Sequence, residues 1–105
     1  MPKEVVVLIT TPTIKEARAI GKKLVKEKLA ACANIIPRIE SVFFWQGRIR
    51  QKREFLIVVK TQRAVFGRLV KRVKSLHSYS VPEIIALPIT QGLKDYLRWI
   101  RETTQ

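Results

Sequence analysis

From Glu4 to Thr11 the chain reads Glu-Val-Val-Val-Leu-Ile-Thr-Thr, short and β-branched, and this predicts a strand. The period then changes. Ile14, Ala17, Ile20, Gly21, Leu24, Val25 and Lys28 recur at helical spacing and leave Lys15, Arg18, Lys22 and Lys26 outside, which predicts an amphipathic helix. Thr13 and Glu16 frame its start as a capping box, with the carboxylate reaching back to the cap. A second amphipathic helix is marked by Val65, Phe66, Leu69, Val70, Val73 and Leu76, with Arg68, Lys71, Arg72 and Lys74 on its outer side. It should end near Leu76–His77, and Pro82 biases Val81 away from helix. Glu83 to Pro88 reads as a strand, Gln91-Gly92 as a turn, and Leu93, Tyr96, Leu97 and Ile100 as a short terminal helix.

Between the two main helices lies the stretch that organises the chain. Ala31 to Trp45 and Arg48 to Thr61 are rich in β-branched and aromatic residues and flank Gln46-Gly47, a hairpin signal in which Gly47 can take a positive φ. Each arm runs about 14 residues, so it would span about 45 Å, whereas a chain of this length has a radius of gyration of about 13 Å. The hairpin is therefore expected either to bend, at Pro37, or to overhang its own domain. An overhang carrying Phe43, Phe44 and Trp45 exposes strand edge and aromatic surface to which another subunit can add.

The order strand–helix–strand–strand–helix–strand, plus a terminal helix, is the split βαβ pattern of ferredoxin-like α+β folds, here expected as one domain over residues 1–105. Right-handed crossovers put both main helices on one face of an antiparallel sheet. Strands with one wet face alternate apolar with polar residues. Val5-Val6-Val7-Leu8-Ile9, Phe55-Leu56-Ile57-Val58-Val59 and Ile84-Ile85-Ala86-Leu87 do not. The open face needs a cover, and further copies of the chain closing a ring are the expected one.

Composition narrows the partners. The net charge of +13 favours anionic partners, but the 21 basic residues are spread from Lys3 to Arg101, which also fits a merely solvated surface. Apolar runs are too short for a membrane span and no signal-peptide pattern opens the chain, so a cytoplasmic protein is expected. One cysteine, Cys32, excludes an internal disulfide and a multi-cysteine metal site within one chain. The four glycines are isolated, so there is no glycine-rich phosphate loop, and the single His77 has no nucleophile or carboxylate at a known catalytic spacing. An enzyme is not expected.

Several segments together resemble the CutA family of divalent-cation tolerance proteins. They are Ala31-Cys-Ala-Asn-Ile-Ile-Pro37, Ser41 through Trp45-x-Gly47, Glu54 through Lys60-Thr61, Leu76-His77-x-Tyr79-x-x-Pro82-Glu83 and Tyr96-Leu-x-Trp99-Ile. The resemblance implies a ferredoxin-like homotrimer similar in architecture to PII signalling proteins, and an association with tolerance to copper and other divalent metals. It also implies a polar-aromatic ligand pocket between subunits built from Trp45, Lys60, Tyr79 and Glu83. The chain departs from the family at Ser78, where proline is common, at the basic run Arg50-Gln-Lys-Arg53, and at Arg48, where lysine is common.

Each candidate has a plainer reading beside it. Cys32 thiolate and His77 imidazole suit Cu(I) or Zn(II), but a free cysteine is most often a buried hydrophobe and His77 can serve as a helix-end cap. Such a site also needs Glu83, water or a neighbouring subunit to complete it. Lys60 and Glu83 can pair or hold a small anion, and Trp45 can simply pack at an interface. The alternative function is a basic nucleic-acid-binding ferredoxin-like protein. Base-stacking modules of that order need aromatics on the first and third strands, and here the third offers only Phe55. An acylphosphatase-like hydrolase is the remotest option, because the basic glycine-flanked phosphate loop is missing.

Overall fold

The structure, a computed structural model, describes residues 2–105. Its elements in chain order are β1 (Glu4–Thr11), α1 (Ile14–Lys26), β2 (Cys32–Trp45), β3 (Arg48–Gln62), a 3-10 turn over Arg63–Val65, α2 (Phe66–Leu76), β4 (Ile84–Pro88) and α3 (Lys94–Thr103). The strands form one antiparallel sheet in the order β2-β3-β1-β4. Every element expected from the hydrophobic pattern is present.

Two local expectations are corrected by the fold. Thr13 does cap α1, its hydroxyl accepting from the Glu16 amide at 3.1 Å. The Glu16 carboxylate, however, does not reach back; it accepts from the amide and hydroxyl of Ser78, at 2.9 and 3.1 Å. Two donors from another loop outcompete one amide in its own turn. Lys28 lies beyond the helix with φ of 61°, a left-handed position that ends α1 without a glycine.

Alternation along the strands assigns the faces. Val5, Val7, Ile9, Ile57 and Val59 are buried against Ala17, Ile20 and Leu24 of α1 and Leu69 and Val73 of α2. The opposite face carries rows such as Leu87, Val6, Lys60, Cys32 and Ile85, Leu8, Val58, Asn34. Helix α3 lies across one end of that face. Arg101 bridges to Glu4 at 2.8 Å, Gln62 donates to the Arg101 and Thr104 carbonyls, and Ile100 is fully buried. The rest of the face stays partly bare, with Ile36 41% and Ile85 and Leu87 each 49% exposed.

The hairpin behaves as its length demands. Gln46 and Gly47 have φ of 52° and 76°, both positive as a two-residue turn of primed type requires. The β2–β3 register slips between Ile36 and Ile39, an extra residue at Pro37–Arg38 that bends the ribbon where proline predicts. The last β1–β3 pair is Thr11 with Phe55, so β3 continues seven residues past its neighbour to Arg48. That free ribbon is about 23 Å long at strand rise, and the chain measures 44 Å along its longest axis. Val42, Phe44 and Ile49 share one face of its end, 65%, 71% and 77% exposed.

Candidate functional site at the base of the ribbon

The segment after α2 crosses the end of β1 and sets a polar cluster beside the ribbon. His77 is the pivot. Its side chain is completely buried, and its Nε2 lies 2.7 Å from the Thr10 carbonyl, which can only accept. Nε2 therefore carries the hydrogen, and Nδ1 is left to accept from the Tyr79 amide at 3.0 Å. Both ring nitrogens are engaged. The Glu16 carboxylate stands 3.3 Å from Nδ1 and ties down Ser78 on the same loop. A proline at position 78 would lack the amide that Glu16 accepts, so the departure noted from sequence has a structural use here.

Tyr79 extends from this loop onto β3. Its hydroxyl donates to Glu54 Oε2 at 2.8 Å and accepts from Lys52 Nζ at 3.4 Å, and the same ammonium sits 4.8 Å from the centre of the tyrosine ring. Burial, and then the hydrogen bond to the Glu54 carboxylate, push the Tyr79 hydroxyl well above its ordinary pKa, so it stays a donor across the physiological range. Glu54 itself is only 6% exposed and depends on that donor. Tyr79→Phe is therefore expected to destabilise the fold by about 1–3 kcal/mol, the cost of leaving a buried acceptor short of its partner, read as a lower urea midpoint with unchanged slope. Glu83, at the entrance to β4, is largely exposed. Its carboxyl is nonetheless raised above the usual range, first by local desolvation and then by the Glu54 charge.

The second group sits at the far end of the open face. Cys32 pairs with Lys60 in the β2–β3 register, six residues along β3 from Glu54, or about 20 Å of strand. Cys32 Sγ lies 3.7 Å from the Tyr96 hydroxyl and 3.9 Å from Asn34 Oδ1, and Lys60 Nζ donates to that same Asn34 oxygen. The contact with Cys32, and then burial, raise the Tyr96 hydroxyl above its ordinary pKa. The thiol is half-buried, not enclosed.

Within one chain, then, the six residues singled out from sequence fall in three places. Tyr79 and Glu83 gather with His77 around Glu54; Cys32 and Lys60 sit together under α3; Trp45 stands alone at the ribbon tip, paired with Arg48 and 44% exposed. Cys32 and His77 do not meet, and Lys60 bonds Asn34 instead of Glu83. Among the described residues no three His, Cys, Asp or Glu side chains converge on a possible metal position. Neither does the His77 ring offer a free lone pair. One chain's side chains therefore do not fit a closed metal centre.

Sequence reasoning missed Glu54, Lys52, Asn34, Tyr96 and Glu16 as members of these groups. A signal existed for one of them. Glu54 is a carboxylate at the head of an otherwise apolar run, Phe55 to Val59, and a charge entering a buried strand needs a partner.

A four-stranded antiparallel sheet with α1 and α2 on one face and this strand order defines the ferredoxin-like α+β class. The family model described as CutA1 divalent ion tolerance protein matches residues 5–103. The chain is 52% identical over 101 residues to the divalent-cation tolerance protein CutA of Thermus thermophilus, covering 96% of this chain and 98% of that one. The solved structure of the Thermus thermophilus protein superposes with a TM-score of 0.96, over 97% of this chain and 99% of that one. The CutA1 structure from Oryza sativa, at 39% identity, gives 0.95 over 99% of this chain and 95% of that one. A third relative, the CutA protein of Archaeoglobus fulgidus, is 46% identical over 94% of this chain and 96% of its own length. The chain belongs to the CutA1 divalent ion tolerance family.

Proposed function

We propose that this protein acts in tolerance to divalent metal ions, copper among them, as a cytoplasmic homotrimer that binds metal or a small ligand in pockets between subunits. It works by binding and assembly, in the manner of PII-like signalling proteins, and not by catalysis. The observation that carries this reading is the ribbon, which projects past β1 with a bare aromatic end while Tyr79, Glu54 and Glu83 lie beside its base. A neighbour's ribbon laid along that base would bring a Trp45 toward a Tyr79 and Glu83 it cannot approach within its own chain. Family membership supports the metal-tolerance role.

Metal in this reading is cargo or signal. Cys32 supplies a soft donor suited to Cu(I), and the remaining donors come from a neighbouring copy or the solvent. Titration of the reduced native protein with Cu(I) is expected to show binding that Cys32→Ala weakens at least tenfold. His77→Ala is expected to matter less, because its ring is committed to Thr10 and Tyr79. Equal affinity in the wild type and both variants would remove the metal assignment and leave the fold untouched.

A further inference from the structure

The positive charge is not evenly placed in three dimensions. Residues 14–28 and 63–76, which make up α1, α2 and their flanks, hold eleven basic side chains against two acidic ones, and so nine of the net +13. Both acids are occupied. Glu27 accepts two hydrogen bonds from Arg72, each 2.9 Å, which hold its carboxyl below the ordinary range, and Glu16 holds Ser78. Every basic residue of the layer except Arg72 is exposed. Lys15, Arg18, Lys22 and Lys26 follow one another at three- and four-residue steps along α1, so neighbouring positions lie about 5–6 Å apart in a stripe. Arg68, Lys71 and Lys74 repeat the pattern on α2.

What this surface lacks narrows its partner. The apolar stripes of both helices are consumed by the core, and Val25 is their only exposed large apolar side chain among the described residues. A helix that lies in a lipid interface needs an apolar face to bury there, which these two have already committed. The one aromatic of the layer, Phe66, packs against the core. Single-stranded nucleic acid is held by stacking on exposed rings, and the layer has none to offer. A dense polyanion gripped through charge alone is what remains. Duplex nucleic acid presents one negative charge per about 1.7 Å of axis, and α1 is about 20 Å long.

We infer that the solvent face of the α1–α2 layer binds the sugar-phosphate backbone of double-stranded nucleic acid without reading its sequence. Phosphate contacts position a protein on a duplex and carry no base information, and exposed lysines and arginines spread over two helices suit that role. This is independent of the metal-tolerance reading, since it uses neither the ribbon, Cys32 nor the Tyr79 cluster. DNA and RNA duplexes share the chemistry, so both are tested.

The experiment is fluorescence anisotropy of labelled 20-base-pair DNA and RNA duplexes of two unrelated sequences between 50 and 200 mM salt. Binding is expected at 50 mM, to both sequences alike, with affinity falling steeply as salt rises. A variant carrying Lys15→Gln, Arg18→Gln, Lys22→Gln and Lys26→Gln should bind at least tenfold more weakly at 50 mM. Its logarithmic salt slope should be shallower by up to about 3.6, since each phosphate neutralised contributes roughly 0.9 to that slope. Arg68→Gln with Lys71→Gln and Lys74→Gln provides a second, independent reduction should the first variant melt early. A control that removes as many charges elsewhere, Arg38→Gln, Arg53→Gln, Lys94→Gln and Arg98→Gln, should bind as the wild type does. No duplex binding at 50 mM overturns the inference. So does an equal loss in layer and control variants, which would mean that net charge alone matters, or capture by phosphatidylserine vesicles or a polyglutamate peptide with duplexes ignored.

Discussion

Light scattering is expected to give about three chains per particle over a wide concentration range, and Phe44→Ser combined with Ile49→Ser is expected to return single chains. The two side chains face each other across the ribbon and are 71% and 77% exposed on one chain. Fully burying a side chain of this kind contributes about 1.5–3 kcal/mol, and a symmetric ring repeats the gain at every interface. Val42 extends the same row into one apolar patch, which a solitary soluble chain rarely tolerates, while Phe43 and Trp45 alternate onto the ribbon's other face. The serine variant should keep the far-ultraviolet spectrum of the wild type, because the ribbon's own pairing does not depend on those two side chains. A wild type that scatters as a monomer would remove the assembly, and the inter-subunit pocket with it.

The second large effect separates the two faces of the sheet. Ile57→Ala is expected to cost about 2–5 kcal/mol, because Ile57 is wholly buried in a central strand against α1 and α2, and its removal leaves a cavity the layers cannot close. Leu87→Ala, on the opposite face and 49% exposed in one chain, should cost little in the unfolding of a single chain. If copies cover that face, the same substitution acts instead on assembly, and the loss appears as a melting temperature that depends on protein concentration. Thermal unfolding at two concentrations a hundredfold apart reads both. A Leu87→Ala protein that melts like the wild type at both would leave that part of the open face uncovered.

The elements were legible because each is a local matter. A 3.6-residue period over Ile14 to Val25, β-branched runs at Glu4 to Thr11 and Phe55 to Val59, and Gln46-Gly47 between two arms each state their conformation within a few residues. Pro37 announced the bend because a proline can neither donate to a ladder nor sit quietly inside one. The site was legible only as a set of names. Tyr79 and Glu83 stand four apart in sequence, but the partner Tyr79 bonds is Glu54, 25 residues back, and the Glu54 charge repels the carboxyl of Glu83. Glu16 illustrates the limit most sharply. Its spacing from Thr13 is that of a capping box, yet its carboxylate answers to Ser78, 62 residues away.

Periodicity and composition alone thus settled the strands, the helices, their order, the overlong hairpin and the excess of positive charge, since these follow from backbone preference and from counting. Three-dimensional packing decided that α3 crosses one end of the open face, that both His77 nitrogens are committed, and that Cys32 keeps company with Tyr96. The reason is the same in each case. Which groups meet across a folded chain depends on distances between residues far apart in sequence, and no local pattern encodes them.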